Sequence, residues 1–314
     1  MSNSSSPFER SDKSLLWQPN RALNKLVQRG VVSIFALFAL VSVLTTFGIV
    51  LTLVVDASGL FQDISLWRFL TDTEWTPLFI NPQFGIFVLI SATAMTSAIA
   101  MFVALPLGLL AAICLSEYAP RNLRRWLKPA LEILAGIPSV VYGYFALFFV
   151  TPILRSFIPW MEPFNSLSAG LVMGVAILPT VASLSEDAIY AVPNSLRQGA
   201  YALGATKREV IVGVVLPAAL SGIVSSFVLS VARAVGETMI VTIAAGQNPT
   251  LTLNPFVPVA TMTAFIVQVS LGDASAGSLA FKTIYAVGLT LFLITLALNV
   301  FSFWFVRRFQ QKYE

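Results

Sequence analysis

The sequence predicts an all-α, polytopic membrane protein with six transmembrane helices, and three observations carry that prediction. Hydrophobic residues make up 57% of the 314, charged residues 11%, and the mean hydropathy is +0.82, far outside the soluble range. Long uncharged stretches recur along the chain. They suit helical spans, which need about twenty apolar residues because the hydrocarbon core is about 30 Å thick and a helix rises about 1.5 Å per residue. A closed β-barrel would show weak alternation instead. Finally, lysine and arginine concentrate in alternate connecting segments, as the orientation rule for membrane helices requires.

The first span reads as Gly30 to Val55. Gln83 to Ser116, the second, is longer than one crossing needs, which suits a tilted helix or a start in the interface. The third and fourth are Ile133 to Leu154 and Pro163 to Ser185; the fifth, Val210 to Ile243, is interrupted only by Arg233 and Glu237, and the sixth is Thr283 to Val306. Six spans return the chain to the side on which it started. The N-terminal tail, 1–29, holds Arg10, Lys13, Arg21, Lys25 and Arg29, and the loop after the second span holds Arg121, Arg124, Arg125 and Lys128. Arg197, Lys207 and Arg208 follow the fourth span and Arg307, Arg308 and Lys312 the sixth, which places fifteen of nineteen basic residues on one face. Both termini are therefore expected in the cytoplasm. The polar opening of the chain does not read as a cleavable signal peptide.

On the other face, 56–82 reads as an extracytoplasmic loop with Trp67 and Trp75 as interfacial aromatics. Val259 to Leu271 is too short to span and reads as a re-entrant or interfacial outer helix; a seventh span there would put the basic C-terminal tail outside. Gly170 and Gly174 form a GxxxG pair, and prolines 106, 138, 152 and 179 interrupt spans two to four. Such positions permit close helix approach and local unwinding, or are ordinary membrane packing.

Several chemistries are excluded. Lone Cys114 forms no disulfide within the chain, and the absence of histidine removes bis-histidine haem ligation and histidine proton relays. The nearest approach to a phosphate-cradling loop is GSLAFKT at 277–283, where Phe281 occupies the second glycine's place. No histidine or cysteine cluster offers a metal site, and no base completes a catalytic triad. No catalytic residue, cofactor or metal is expected, and any ATP hydrolysis must come from a partner.

Ser195 to Gly222 is the polar interruption between the fourth and fifth spans. Pro193 with Asn194 or Ser195 favours a helix start, and the alanines, leucines and charges that follow suit a short cytoplasmic helix at about 194–209. Tyr201, Ala202 and Ala205 alternate with polar positions, and Gly204 permits a bend or close contact. Such a helix either docks in a partner's groove or lies on the inner leaflet with its arginines on lipid phosphates.

The order Gln198-Gly199-Ala200, three residues, Gly204, nine residues, Val214, one residue, Leu216-Pro217 resembles the EAA loop of ABC-importer permeases, with Gln198 and Gly199 in place of the usual Glu and Ala. The resemblance implies a coupling helix seated in a cleft of a cytoplasmic ATPase, formed by Gln198, Gly199, Ala200, Tyr201, Gly204 and Ala205 and followed by Leu216 and Pro217, within a type I ABC-importer permease fold. AGIPSVVYG (135–143), SVARAVGETM (230–239), GSLAFKTIYAVG (277–288) and CLSEYAP (114–120) are similar to the PstC-type permease subunit of the phosphate-specific transport (Pst) system. The resemblance covers roughly 84–308. It implies four kinds of neighbour: a homologous PstA-type permease, two PstB-type ATPases, an extracytoplasmic PstS-type phosphate-binding protein and membrane lipid.

An anion path is also legible without that resemblance. Arg233 lies midway along the fifth span, where a charge costs about 2.5–3.5 kcal/mol on insertion scales. Glu237, four residues on, sits on the same helical face and is placed to pair with it. Either the two form a structural ion pair, or Arg233 offers its guanidinium to a tetrahedral oxyanion while Glu237 holds it in place and competes for it. The resemblance implies that family members use both positions in translocation. Ser139 and Tyr142 either line the same path or bond within the bundle, and Glu186 and Asp187 face cytoplasmic water or a basic residue.

The expected protein is a multi-pass inner-membrane permease subunit of a phosphate importer: tail 1–29, first helix and outer loop 30–83, permease core 84–308, cytoplasmic tail 309–314. A permease for another oxyanion or a phosphonate is the nearest alternative, and a stand-alone secondary transporter a more distant one.

Overall fold

The computed structural model describes residues 21–79, 81–275 and 277–309, so most of both expected tails lies outside the described residues. Among the described residues thirteen α-helices run in order: α1 (Arg21–Asp63), α2 (Leu66–Thr71), α3 (Ile86–Ile113), α4 (Arg121–Gly136), α5 (Ser139–Phe145), α6 (Thr151–Phe157), α7 (Ser166–Tyr190), α8 (Asn194–Ala202), α9 (Lys207–Val210), α10 (Leu216–Val235), α11 (Met239–Ala244), α12 (Met262–Gln268) and α13 (Leu279–Phe309). Six stretches of the described residues are long and apolar enough to cross a membrane: Lys25–Asp63, Ile86–Tyr118, Ser139–Phe157, Ser166–Tyr190, Lys207–Val235 and Leu279–Arg308. The six expected spans are present. The chain divides into two compact units, residues 1–52 and 53–314. In the first, 25–46 is an exposed apolar helix; the rest concerns the second.

Two boundaries shift from the sequence reading because of a proline or glycine. The third span begins at Ser139 and not Ile133, because the chain is extended at Ile137 and Pro138, which ends the amphipathic α4 and starts α5. A proline cannot donate to the carbonyl four residues back and its ring crowds that carbonyl. Two spans absorb this with a π turn just upstream: Ala146–Val150 precedes Pro152, and Ile211–Val215 precedes Pro217. The fifth span stops at Val235 and not Ile243, with Gly236 as its cap.

Close packing centres on α3 and α7. A Cβ on Gly174 would stand 2.7 Å from the Ala100 carbonyl, and one on Gly170 3.0 Å from that of Thr96, so the GxxxG pair admits a backbone approach that alanine would block. Ala100, Ala104, Ala169, Met173 and Val181 are buried around this seam. α10 also packs on α7, with Ser185 and Ser226 hydroxyls 2.8 Å apart. In helices without water, such small side chains permit dispersion contact and let hydroxyls satisfy one another.

A second core corrects the reading of Trp75. It is fully buried, packed edge-on to Phe69, Phe84 and Phe265 with centroids 5.1–6.4 Å apart, whereas Trp67 is exposed as expected. Helix α1 runs through the first part of the expected loop to Asp63, and the rest folds back through a Trp75–Phe84 bridge. Met262–Gly272 is too short to cross a membrane, and Met262 to Phe265 are buried. Lys282 donates to Asp63 at 2.8 Å, tying the start of α13 to the end of α1.

Candidate functional site

Arg233 occupies the last turn of α10, with an exposed side chain. Its Nη1 donates to Thr180 Oγ1 of α7 at 2.5 Å. The expected pairing with Glu237 does not form, because the helix ends at Val235 and the two residues no longer share a face. Glu237 instead turns forward: its Oε1 accepts from the backbone N–H groups of Met239 and Ile240 at 3.1 and 3.3 Å. A carboxylate there satisfies orphan donors at the start of α11 and faces the positive end of that short helix. Thr263 of α12 donates to the Glu237 carbonyl at 2.7 Å, fixing the break. Arg233 is thus held by a neutral hydroxyl, with Glu237 engaged elsewhere.

Thr180 also lines a cleft of ≈ 350 Å³ between α4, α7 and α10, together with Lys128, Glu132, Ser183, Glu186 and Leu229. Glu186 is only 1% exposed and does not face water. Arg124 Nη2 stands 2.5 Å from its Oε1 and Lys128 Nζ 3.3 Å from its Oε2, ion-pair distances although neither donor is aligned as a hydrogen bond. Asp187 lies 3.7 Å from Lys128 and is exposed. Of the two hydroxyl candidates, Tyr142 is turned inward, its OH donating to the Leu134 carbonyl at 2.8 Å. Ser139 sits half-buried at the start of α5.

The other candidate region is the segment after α7. The single helix expected at about 194–209 is two, α8 and α9, because Gly204 takes φ +82°, a left-handed conformation that stops a helix and that other residues adopt at a cost. Thr206 then caps α9 in a reciprocal box: its N–H donates to Glu209 Oε2 at 2.7 Å and the Glu209 N–H to Thr206 Oγ1 at 3.5 Å. Gln198, Gly199, Tyr201 and Gly204 are exposed, as is Leu203 at 90%. Ala200, Ala205 and Leu216 pack inward against Ala112, Ile189, Val192, Val210 and Val215, while Pro217 is exposed in the first turn of α10. The structure therefore splits the EAA-like set into an outward face and an inward face. Leu203 was missed by sequence reasoning.

Arg197 was also missed as a site residue. Its Nη1 donates to the Val192 carbonyl at 2.8 Å and Asn194 Oδ1 at 3.0 Å, and its Nη2 to the Ile189 carbonyl at 2.8 Å and Glu117 Oε1 at 3.1 Å. Glu117 is eighty residues away in sequence, so no local spacing signals the contact. Among the described residues no group of three or more His, Cys, Asp or Glu is arranged to hold a metal.

Residues 104–314 match a family profile described as binding-protein-dependent transport system inner membrane component. The chain is 34% identical over 297 residues to the phosphate transport system permease protein PstC of Haemophilus influenzae, covering 88% of this chain and 92% of that one. It is 36% identical over 259 residues to the PstC protein of Mesorhizobium japonicum, covering 76% and 78%. A probable ABC transporter permease of Bacillus subtilis, YqgH, is 32% identical over 299 residues, covering 94% and 95%. Among solved structures, a chain of a bacterial alginate ABC transporter superposes with a TM-score of 0.64 at 16% identity, covering 94% of this chain and all of that one. That likeness shows the fold.

Proposed function

Because the chain belongs to the family of binding-protein-dependent transport system inner membrane components, we propose that it passes inorganic phosphate across the membrane and that Arg233 meets the anion. As an ABC permease subunit it is a multi-pass inner membrane protein and not a catalyst in its own right. The observation that carries the reading is the Arg233 guanidinium, placed at the end of a membrane span and held by the Thr180 hydroxyl. An arginine held by a neutral group keeps its charge available for a tetrahedral oxyanion, which supplies acceptors for a forked, charge-assisted contact roughly twice as strong as a neutral one. The holding role expected of Glu237 passes to Thr180, whose hydroxyl yields to phosphate at smaller cost than a carboxylate would. Resemblance to two phosphate permeases over most of the chain supports phosphate as the anion.

In this reading the chain pairs with a PstA-type permease and works with two PstB-type ATPases and a PstS-type binding protein, with both termini in the cytoplasm. The outward face of α8, with Tyr201 and Leu203, enters an ATPase cleft. ATP binding closes the ATPases and turns the bundle outward to accept phosphate, and hydrolysis resets it. The test is uptake of labelled phosphate by vesicles carrying the purified complex, with sulfate and a phosphonate as competitors. ATP-dependent uptake that phosphate alone competes for supports the reading. Uptake driven by an ion gradient without ATP, or preference for sulfate or phosphonate, overturns it.

A further inference from the structure

Helices α8 and α9 grip one turn at the cytoplasmic end of the second span. Residues Cys114–Tyr118 form a π turn at the end of α3, inside a motif, CLSEYAP, that no part of the proposed translocation path uses. Arg197 of α8 donates to Glu117 at 3.1 Å, with both side chains largely buried at 16% and 12% exposure. Lys207 of α9 sets its ammonium 4.6 Å from the centroid of the Tyr118 ring, a favourable cation–π distance.

The same Arg197 guanidinium binds the carbonyls of Ile189 and Val192, in and just after the last turn of α7. The Ile189 carbonyl otherwise accepts a long backbone bond from the Val192 N–H at 3.3 Å, which leaves it room for the guanidinium, and a cation there also faces the negative end of the helix. A planar fork with five donors makes these contacts together, which lysine cannot reproduce. One side chain therefore joins α8 to the ends of α3 and α7. Nine residues up α7 from Ile189, about 13 Å along a helix, stands Thr180, the partner of Arg233.

We propose that Arg197, held by Glu117 and the α7 carbonyls, is the positioning residue that carries movement of α8 into α3 and α7, and so to the Thr180–Arg233 contact. This rests on the reading of α8 as the ATPase-coupled helix. It adds a side-chain route to the covalent one through α9 and α10. The covalent route passes through a glycine turn and a π turn; the guanidinium route runs through a single planar side chain onto the end of α7 and the π turn that closes α3.

The experiment uses the whole complex in proteoliposomes and reads phosphate taken up per ATP hydrolysed. In Arg197→Gln this ratio is expected to fall about two- to thirtyfold, the range for residues along a coupling network, while the ATPases still co-purify and hydrolyse. Arg197→Lys should retain part of the ratio, and Glu117→Gln should lower it less than Arg197→Gln. The double variant should be no worse than Arg197→Gln, because the two act as one unit. An unchanged ratio in Arg197→Gln overturns the proposal, as does a fall in uptake and hydrolysis by the same factor, which marks a merely structural residue. Should Arg197→Gln fail to assemble, Glu117→Gln decides, since it keeps the α7 contacts; an unchanged ratio there overturns the proposal. Absence of phosphate uptake by the wild-type complex would remove the phosphate reading and leave this one standing. Stimulation of hydrolysis by the binding protein then reads the coupling: its loss in Arg197→Gln supports the proposal and its persistence overturns it.

Discussion

Arg197 and Arg233 bond to opposite ends of the C-terminal half of α7 and are used in contrary ways. Arg197 spends its two terminal nitrogens on four acceptors, one of them a carboxylate. Among the described residues Arg233 makes one hydrogen bond, to a hydroxyl, and is exposed. A guanidinium whose terminal nitrogens are all engaged, as here where the buried Nε alone lacks a partner, fixes geometry, because moving it breaks several bonds at once. An unsaturated one is poised to take a ligand, because a forked oxyanion offers more than the hydroxyl it displaces. On the proposed reading, the number of partners, and not the residue type, separates the positioning arginine from the binding one.

The contrast is broken most directly at Arg233. Arg233→Ala should lower phosphate uptake by about a hundredfold or more, with the complex still assembled and hydrolysing; uptake near wild type would put the anion elsewhere. Arg233→Lys keeps the charge and loses the fork, so about one charge-assisted bond of 1.5–3 kcal/mol is lost and uptake should fall roughly tenfold to a hundredfold. If lysine served as well as arginine, forked recognition would be wrong.

On the coupling side, Gly204→Ala forces a residue with a Cβ into a left-handed turn at a cost of about 1–2 kcal/mol. The ATPase retained through purification should drop, and drop less in Gly204→Asn, since asparagine visits that region more readily. Equal retention in wild type and both variants would mean the turn does not set the docking face. Smallest is Thr180→Val, which removes a neutral hydrogen bond worth about 0.5–1.5 kcal/mol net. With no hydroxyl competing for Arg233, the KM for phosphate should fall by roughly two- to tenfold; a rise would mean that Thr180 orients Arg233 for the anion.

Much of this was legible in the chain. The six spans follow from uncharged length, which one residue cannot hide, and the glycine pair at 170 and 174 marked the seam that the structure shows between α3 and α7. Arg233 stood out because a charge in an apolar run is costly and therefore conspicuous. Its partner did not, since helical spacing pointed to Glu237 although Gly236 was the local sign that the helix would stop at Val235. Trp75 failed for a related reason: an aromatic beside a membrane span reads as interfacial until the fold shows it packed against Phe265.

The sequence by itself determined that this is a multi-span helical protein, because membrane insertion is a property of local composition summed over about twenty residues. It also placed a polar coupling-like segment between the fourth and fifth spans and an arginine inside the fifth. Only the tertiary structure decided what each arginine holds. Glu117 lies eighty residues from Arg197 and Thr180 fifty-three from Arg233, and a hydrogen bond depends on where helix ends arrive, a consequence of packing that no spacing along the chain encodes.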